Sequence, residues 1–361
     1  MGGYEPGIPT RLVTPETDLI RLDSNENPLG PSPRAIEAIH RALAEAHAYP
    51  DNDCSALTAK LSELHTAPGE QILVTPGSAG MLRLLCHTLL APGLNAVTSE
   101  KSFIVYGMAV RSTGAELIET PTRDDGFDLR AIRDVVNEKT RLVLLANPNN
   151  PTGTLLDTNE LERFLSEVRG NVVVVLDEAY YEFAAHFAER RKVAYSRSLD
   201  YLRRGASVVV LRTFSKAHGL AALRIGYGLG PAELLAYCRS MQDTYAVSSV
   251  AQAAAVAALD DDDHVARSVS HNAQQAASLS AGLSELRFKV TPTWANFIYC
   301  DLGQDAAPVA RRLREQGISV RPLNAWGAPA CIRVSIGTAQ QNERFLDALR
   351  TISAPTSSQS G

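Results

Sequence analysis

The sequence predicts an α/β protein: a large domain built on a mainly parallel sheet with helices on both faces, followed by a smaller α+β domain. Three observations predict it. From Gln71 to about Gly230 short apolar runs alternate with segments of helical period. Those runs, ILVT, RLVLLA, VVVVL and SVVVLR among them, are continuously apolar, as strands buried on both faces are. After the alanine-rich stretch Ala251–Ala258 the pattern changes to short strands separated by two polar helices, as in an α+β unit.

Taken in order, residues 1–31 are rich in Pro, Gly, Asn and Asp, and SNENPLGPSP reads as successive turns, so this segment is an extended arm. Ser32 followed by Pro33 marks an N-cap and first helical position, after which Ile36, Ile39 and Leu43 recur at helical spacing. A second helix presents Leu57, Leu61 and Leu64 on one face. The large domain is expected over 32–255, alternating MLRLLCHTLL, NELERFLSEV and ELLAYCR helices with the strands above. The small domain is expected over 256–353, packing with the arm. It carries a long polar helix near 264–285, the runs FKVTP, NFIYCDL, ISVRPL and CIRVSIGT, and the helices PVARRLREQ and NERFLDALR. Asp260–Asp263 read as a solvated helix start rather than a metal site. Residues 354–361 are expected to form a disordered tail, and no repeats occur.

The 361 residues suffice for a large core, with 45% hydrophobic and 21% charged residues, as in ordinary soluble proteins. A net charge of −5 without a basic, aromatic-rich cluster argues against nucleic acid as a partner. No apolar run approaches the roughly 20 residues of a membrane span, and the N-terminus lacks a secretory pattern. Five cysteines are scattered singly, without metal-ligand spacing, which fits a reducing compartment and makes the cytoplasm the expected location.

In a parallel sheet, ligands bind beyond the carboxyl ends of the strands, so the turns there are the candidate site. TPGSAG offers Ser78 and the amide of Ala79 at a helix N-terminus, an arrangement that suits a phosphate but also occurs for geometric reasons alone. NPNNPTG holds the chain extended at a strand end and leaves amide side chains, Asn150 included, for hydrogen bonding. Asp177 directly follows an apolar strand, with Tyr180 beyond it. A carboxylate there needs a cationic partner, either a structural arginine or a protonated ring nitrogen. LRTFSKAHGLAALRIG supplies Thr213, Ser215 and Arg224, suited to a dianionic phosphate, around Lys216, whose amine can form a Schiff base.

These segments, with YEPG at Tyr4, the YPD of Tyr49–Asp51, VRPLN and IRVSIGT, resemble the fold type I pyridoxal-phosphate aminotransferases, and within them the histidinol-phosphate aminotransferase branch. The resemblance covers nearly the whole chain. It implies that pyridoxal 5'-phosphate is the cofactor and that Lys216 carries it through a Schiff base and serves as base. Asp177 would pair with the ring nitrogen, and Asn150 and Tyr180 with the ring oxygen. Ser78, Ala79, Thr213, Ser215 and Arg224 would hold the phosphate, Phe103 in KSFIVYG would stack on the ring, and Tyr49 would reach the phosphate of a neighbouring subunit in a homodimer. Arg333, and near the substrate phosphate Arg321, would grip the substrate's acidic group. The implied reaction is ping-pong transamination of L-histidinol phosphate, the amino donor, with 2-oxoglutarate, the 2-oxo acid acceptor. An aromatic amino-acid aminotransferase and, in another class, a threonine-phosphate decarboxylase are the alternatives. Two positions depart from the pattern: Lys101 stands where the family usually has Pro, and Gly80 where an acidic residue follows GSA.

Overall fold

The computed structural model of the chain describes residues 19–353. The YEPG segment, the first part of the arm and the expected free tail at 354–361 lie outside the described residues. The centre of the molecule is a seven-stranded sheet in the spatial order Ile72–Thr75, Gly226–Leu229, Val208–Thr213, Val173–Asp177, Thr140–Ala146, Asn95–Ser99, Glu116–Thr120. All strands run parallel except Gly226–Leu229, which is antiparallel to both neighbours. Val174, Val175, Val208, Val209 and Val210 are fully buried, as helices on both faces require. Each such side chain contributes about 1.5–3 kcal/mol through burial.

Two strands of this sheet, Asn95–Ser99 and Glu116–Thr120, have no counterpart in the apolar runs of the sequence. NAVTS is fully buried, yet its hydroxyls are satisfied internally: Thr98 Oγ1 donates to the Leu144 carbonyl at 2.8 Å and Ser99 Oγ meets Thr120 Oγ1 at 2.9 Å. ELIET is the sheet edge and is largely open to solvent.

The first helix, Pro33–Leu43, starts as its sequence predicts, with Ser32 Oγ accepting from the Ala35 amide at 3.1 Å. Its buried face differs from the expected one. Ala35 and Ala38 pack towards the alanine-rich helix Ser249–Ala258, because two small-residue faces allow close approach, and Ile36 and Leu43 are left exposed. On the next helix, Ser55–His65, Leu57 and Leu61 are buried but Leu64 is exposed; His65 takes the inner position and its Nε2 meets Tyr227 Oη at 2.8 Å.

A second core surrounds an antiparallel four-stranded sheet in the order Lys289–Thr291, Phe297–Asp301, Ala328–Ser335, Arg321–Leu323. The helices Asp262–Glu285, Ala306–Glu315 and Ala339–Ser353 accompany it. Asp261 caps the first of these, accepting from the His264 amide, so the aspartate run does form a helix start. ISVRPL divides: Ile318–Ser319 pairs in parallel with Ile20–Arg21 of the arm, and Arg321–Leu323 joins the small sheet. Leu22 then enters the small core, so the arm is anchored there before crossing to the large sheet.

Candidate active site

The carboxyl ends of the large sheet's strands and one face of the small sheet enclose a cavity of about 270 Å³. Ser78, Ala79, Phe103, Asn150, Asp177 and Tyr180 reach it from the large sheet's turns and the helix starts beside them. Thr213, Ser215, Lys216 and Arg224 enter from the turn after Val208–Thr213, and Arg321 and Arg333 from the small sheet. Tyr49 is not brought there. Its side chain is 81% exposed and its ring stacks on Tyr245 at 4.5 Å, on the outer surface of the chain.

Asp177 ends its strand and is buried. Its Oδ2 accepts from Tyr106 Oη at 3.1 Å and its Oδ1 from the Ala179 amide at 3.2 Å. Burial pushes the carboxyl up to about 6 against the effect of these bonds, so the site favours a cation at this oxygen pair. Tyr106 lies in the KSFIVYG segment, on the helix Val105–Arg111, and nothing in its spacing marks it as Asp177's partner.

Lys216 Nζ donates to the carbonyls of Ser24 and Asn25 at 3.1 and 3.2 Å. Burial, with help from Arg333 and Arg224, pulls the amine down to about 7, while Glu26 and Asp177 oppose the shift. Tyr180 Oη accepts from Asn25 Nδ2 at 3.0 Å and from Asn150 Nδ2 at 3.2 Å. Asn25 is held in turn by Ser335 and by Asn296, whose Nδ2 donates to its carbonyl at 2.9 Å. Asn25 was visible only as part of a turn-rich arm; its backbone sits in the left-handed region at φ 56°.

The phosphate-type donors form a separate group. Thr213 Oγ1 donates to Ser215 Oγ at 3.0 Å, and Arg224 Nη1 donates to the same Ser215 oxygen at 3.2 Å. Gly77 has φ +74°, where a side chain is strained, and an added Cβ would lie 2.8 Å from Arg224 Nη2 and push that guanidinium aside. Ser78 begins the helix Ser78–Leu89, so its backbone amide points out of the helix end beside these hydroxyls. One arginine, three hydroxyls and a helix start suit a dianionic phosphate, and the buried Asp177 suits a protonated ring nitrogen. The donor set thus fits the phosphorylated pyridine aldehyde implied by the sequence resemblance.

A third group lies on the small sheet, where Arg321 and Arg333 face each other directly across an antiparallel pair and therefore project on one side. Arg333 is buried; its Nη1 donates to Asn150 Oδ1 at 2.6 Å and its Nη2 to the Asp23 carbonyl at 2.7 Å. Both line the cavity, and two guanidinium forks on one side of the sheet suit an anionic substrate group.

The departures at Lys101 and Gly80 have local consequences. Lys101 adopts φ 48°, its Nζ pairs with Asp125 at 3.1 Å, and its carbonyl accepts from Asn149 Nδ2 at 2.9 Å, which ties the Phe103 loop to NPNNPTG. At Gly80 an added Cβ would lie 3.1 Å from Pro76 Cδ, a tight fit. Both X-Pro bonds of NPNNPTG, Asn147–Pro148 and Asn150–Pro151, are cis.

The sequence matches the family described as aminotransferase class I and II over residues 17–349. It is 43% identical over 356 residues to histidinol-phosphate aminotransferase 2 of Pseudomonas aeruginosa, covering 97% of this chain and 95% of that protein. It is 40% identical to the histidinol-phosphate aminotransferase of Moorella thermoacetica, covering 97% and 90% respectively. Among solved structures, the histidinol-phosphate aminotransferase of Sinorhizobium meliloti in complex with pyridoxal-5'-phosphate aligns with a TM-score of 0.87 at 26% identity, over 95% of this chain and 94% of that one. The L-threonine-O-3-phosphate decarboxylase of Porphyromonas gingivalis aligns with a TM-score of 0.80 at 22% identity, over 92% and 99%, a likeness of fold alone.

Proposed function

The chain belongs to the aminotransferase class I and II family, and from that premise we propose that it is a pyridoxal 5'-phosphate-dependent transaminase moving an amino group from L-histidinol phosphate to 2-oxoglutarate. The observation that carries this reading is the convergence of Lys216, Asp177 and two separate arginine sites on one cavity. The near-full-length identity to histidinol-phosphate aminotransferases supports the choice of donor.

When bound, the cofactor supplies an electron sink for the carbon that loses its proton. Thr213, Ser215, Arg224 and the Ser78 helix start would hold its phosphate, Phe103 would lie against its ring, and Asn150 and Tyr180 would serve the ring oxygen. Asp177 would pair with the protonated ring nitrogen, a cation that would keep the carboxylate ionised against the upward push of burial. Lys216 is the covalent anchor and the proton carrier. An amine lowered to about 7 is half neutral near neutral pH, so it can both attack a carbonyl carbon and accept a proton from the substrate carbon that bears nitrogen. Arg333 and Arg321 orient the substrate by its phosphate, and by the distal carboxylate of the acceptor in the return half-reaction. One cavity serves both, so the kinetics are ping-pong.

A homodimer completes the site in this reading. Arg224 is exposed in the single chain, and Tyr49, Ile36 and Leu43 present an apolar outer surface. Burying that surface against a second copy would bring a partner's tyrosine to the open side of the phosphate group. The five cysteines are free and buried, which suits a reducing compartment such as the cytoplasm. No helix of the described residues is long and apolar enough to cross a membrane.

The test is donor profiling with 2-oxoglutarate: kcat/KM for histidinol phosphate is expected to exceed that for phenylalanine and tyrosine. No detectable turnover of histidinol phosphate would remove the proposed donor. Carbon dioxide release without amino transfer would move the protein to the decarboxylase class.

A further inference from the structure

The charged side chains around the cavity are mostly cationic, and its carboxylates are unequal. Asp177 is occupied by Tyr106, and Asp23 accepts from Ser319 Oγ at 2.7 Å and Ser24 Oγ at 2.8 Å. Glu26 differs. It lines the cavity from the arm with its side chain 40% exposed, and Arg21 Nη2 holds its Oε1 at 2.9 Å. Its Oε2 makes no hydrogen bond to the described residues.

A carboxylate in this position opposes any anion that Arg321 and Arg333 attract, the acceptor's distal carboxylate and the donor's phosphate alike, and the acceptor brings nothing to offset it. A site serving only 2-oxo acids would gain by losing it. The amino donor is where it becomes useful. A donor whose distal group is a nitrogen heterocycle brings an N–H that a carboxylate oxygen can accept, whereas a phenyl ring brings none. The arginine also restrains the carboxylate, so less side-chain freedom is lost on binding.

We propose that Glu26 is a specificity-determining residue whose Oε2 accepts the ring N–H of an imidazole-bearing amino donor, with Arg21 as the positioning residue that fixes the carboxylate. This rests on the donor assigned above. Glu26 thereby favours one half-reaction's substrate and disfavours the other's, so its removal has opposite signs for the two.

The experiment compares holoenzyme of the wild type, Glu26→Met and Glu26→Gln with histidinol phosphate, phenylalanine and 2-oxoglutarate, with thermal melting to verify folding. In Glu26→Met the ratio of kcat/KM for histidinol phosphate to that for phenylalanine is expected to fall ~10- to 100-fold, less than for a fully buried acceptor because Glu26 is partly hydrated. The loss should appear in KM for the donor while KM for 2-oxoglutarate decreases, and Glu26→Gln, which keeps an acceptor oxygen, should recover part of the ratio. Equal losses for both donors, an unchanged ratio, or a raised KM for 2-oxoglutarate would overturn the assignment and leave Glu26 as an anchor of the arm. Wild-type enzyme inactive on histidinol phosphate would overturn the donor assignment and this inference together; active wild type with unaltered selectivity in Glu26→Met overturns this inference alone.

Discussion

Arg333 Nη1 donates to Asn150 Oδ1 at 2.6 Å, joining the small sheet to the cis-proline loop of the large one directly over the cavity. The same guanidinium reaches the Asp23 carbonyl with its other terminal nitrogen, so its planar fork is fixed by two bonds from different elements. Arg333→Lys keeps the charge and loses the fork. KM for donor and acceptor should each rise about 10- to 100-fold with a smaller change in kcat, equivalent to about 1.4–2.8 kcal/mol of binding. Steady-state kinetics with both substrates test this, and unchanged KM values would remove Arg333 from the anion site.

Lys216 gives a pH signature. Its folded value, about 7, lies below the ordinary 10.5, so between these limits the unfolded chain holds a proton that the folded chain lacks. Stability therefore rises with pH across that window, and the destabilisation from burying the amine is fully present below pH 7. In cofactor-free protein the melting temperature of Lys216→Met should exceed that of wild type at pH 6, with the gap narrowing towards pH 10. Capture of the cofactor aldehyde by wild type should accelerate with a midpoint near 7; a midpoint near 10 would contradict the buried setting of the amine.

The positions of Lys216, Asp177 and Asn150 were legible because each follows a continuously apolar run, and the carboxyl ends of such strands face the crevice. Their immediate supports were not. Asn25 meets Tyr180, 155 positions away in sequence, and a turn-rich arm does not disclose such a partner. Tyr106 hides among apolar residues of a short helix, since a buried hydroxyl bonded to a carboxylate has the same spacing as a core aromatic. The strand Asn95–Ser99 escaped because Thr98 and Ser99 satisfy their hydroxyls inside the sheet, so a buried strand reads as polar. Ile36 failed for the opposite reason: helical spacing identifies an apolar face, but small residues claim the inner side when the neighbouring helix is alanine-rich. Leu64 lost its inner place to His65, whose ring is held by Tyr227.

Beneath the site, Arg212 and Glu178 form a buried ion pair, with Nη2 to Oε2 at 2.6 Å and Nε to the same oxygen at 2.8 Å. Each is the chain neighbour of a site residue, Thr213 or Asp177, so the pair links the ends of adjacent strands. The Arg212 guanidinium also lies 3.3 Å from the Tyr181 ring centroid. Glu178→Gln leaves that guanidinium buried without its counter-charge and should destabilise the protein by about 3–5 kcal/mol. Glu178→Gln combined with Arg212→Met should recover part of the loss. Urea unfolding of the single and double variants measures this; a single-variant loss under about 1 kcal/mol would show that water or another carboxylate compensates the arginine.

Gly219 determines how closely the arm passes the Lys216 turn. It has φ +71°, and a Cβ there would stand 2.2 Å from the Gly30 carbonyl oxygen, a backbone atom that cannot swing aside as a side chain can. The same crossing is fastened by Asn27, whose Nδ2 donates to the Ala217 carbonyl at 2.9 Å and to Ser268 Oγ at 2.9 Å. Gly219→Ala must therefore displace the 27–31 turn. That turn continues directly from Ser24 and Asn25, whose carbonyls hold the Lys216 amine. Overpacking of this kind costs about 1–3 kcal/mol, and the left-handed backbone adds about 1 kcal/mol for a residue with a side chain. The expected result is a lower melting temperature together with a reduced kcat, because the amine loses its fixed acceptors. Gly30→Ala, at a position with φ +72° but open space around it, should lower stability by the backbone contribution alone and leave kcat nearer to wild type. If both substitutions reduced kcat equally, the crossing contact would not be what positions Lys216.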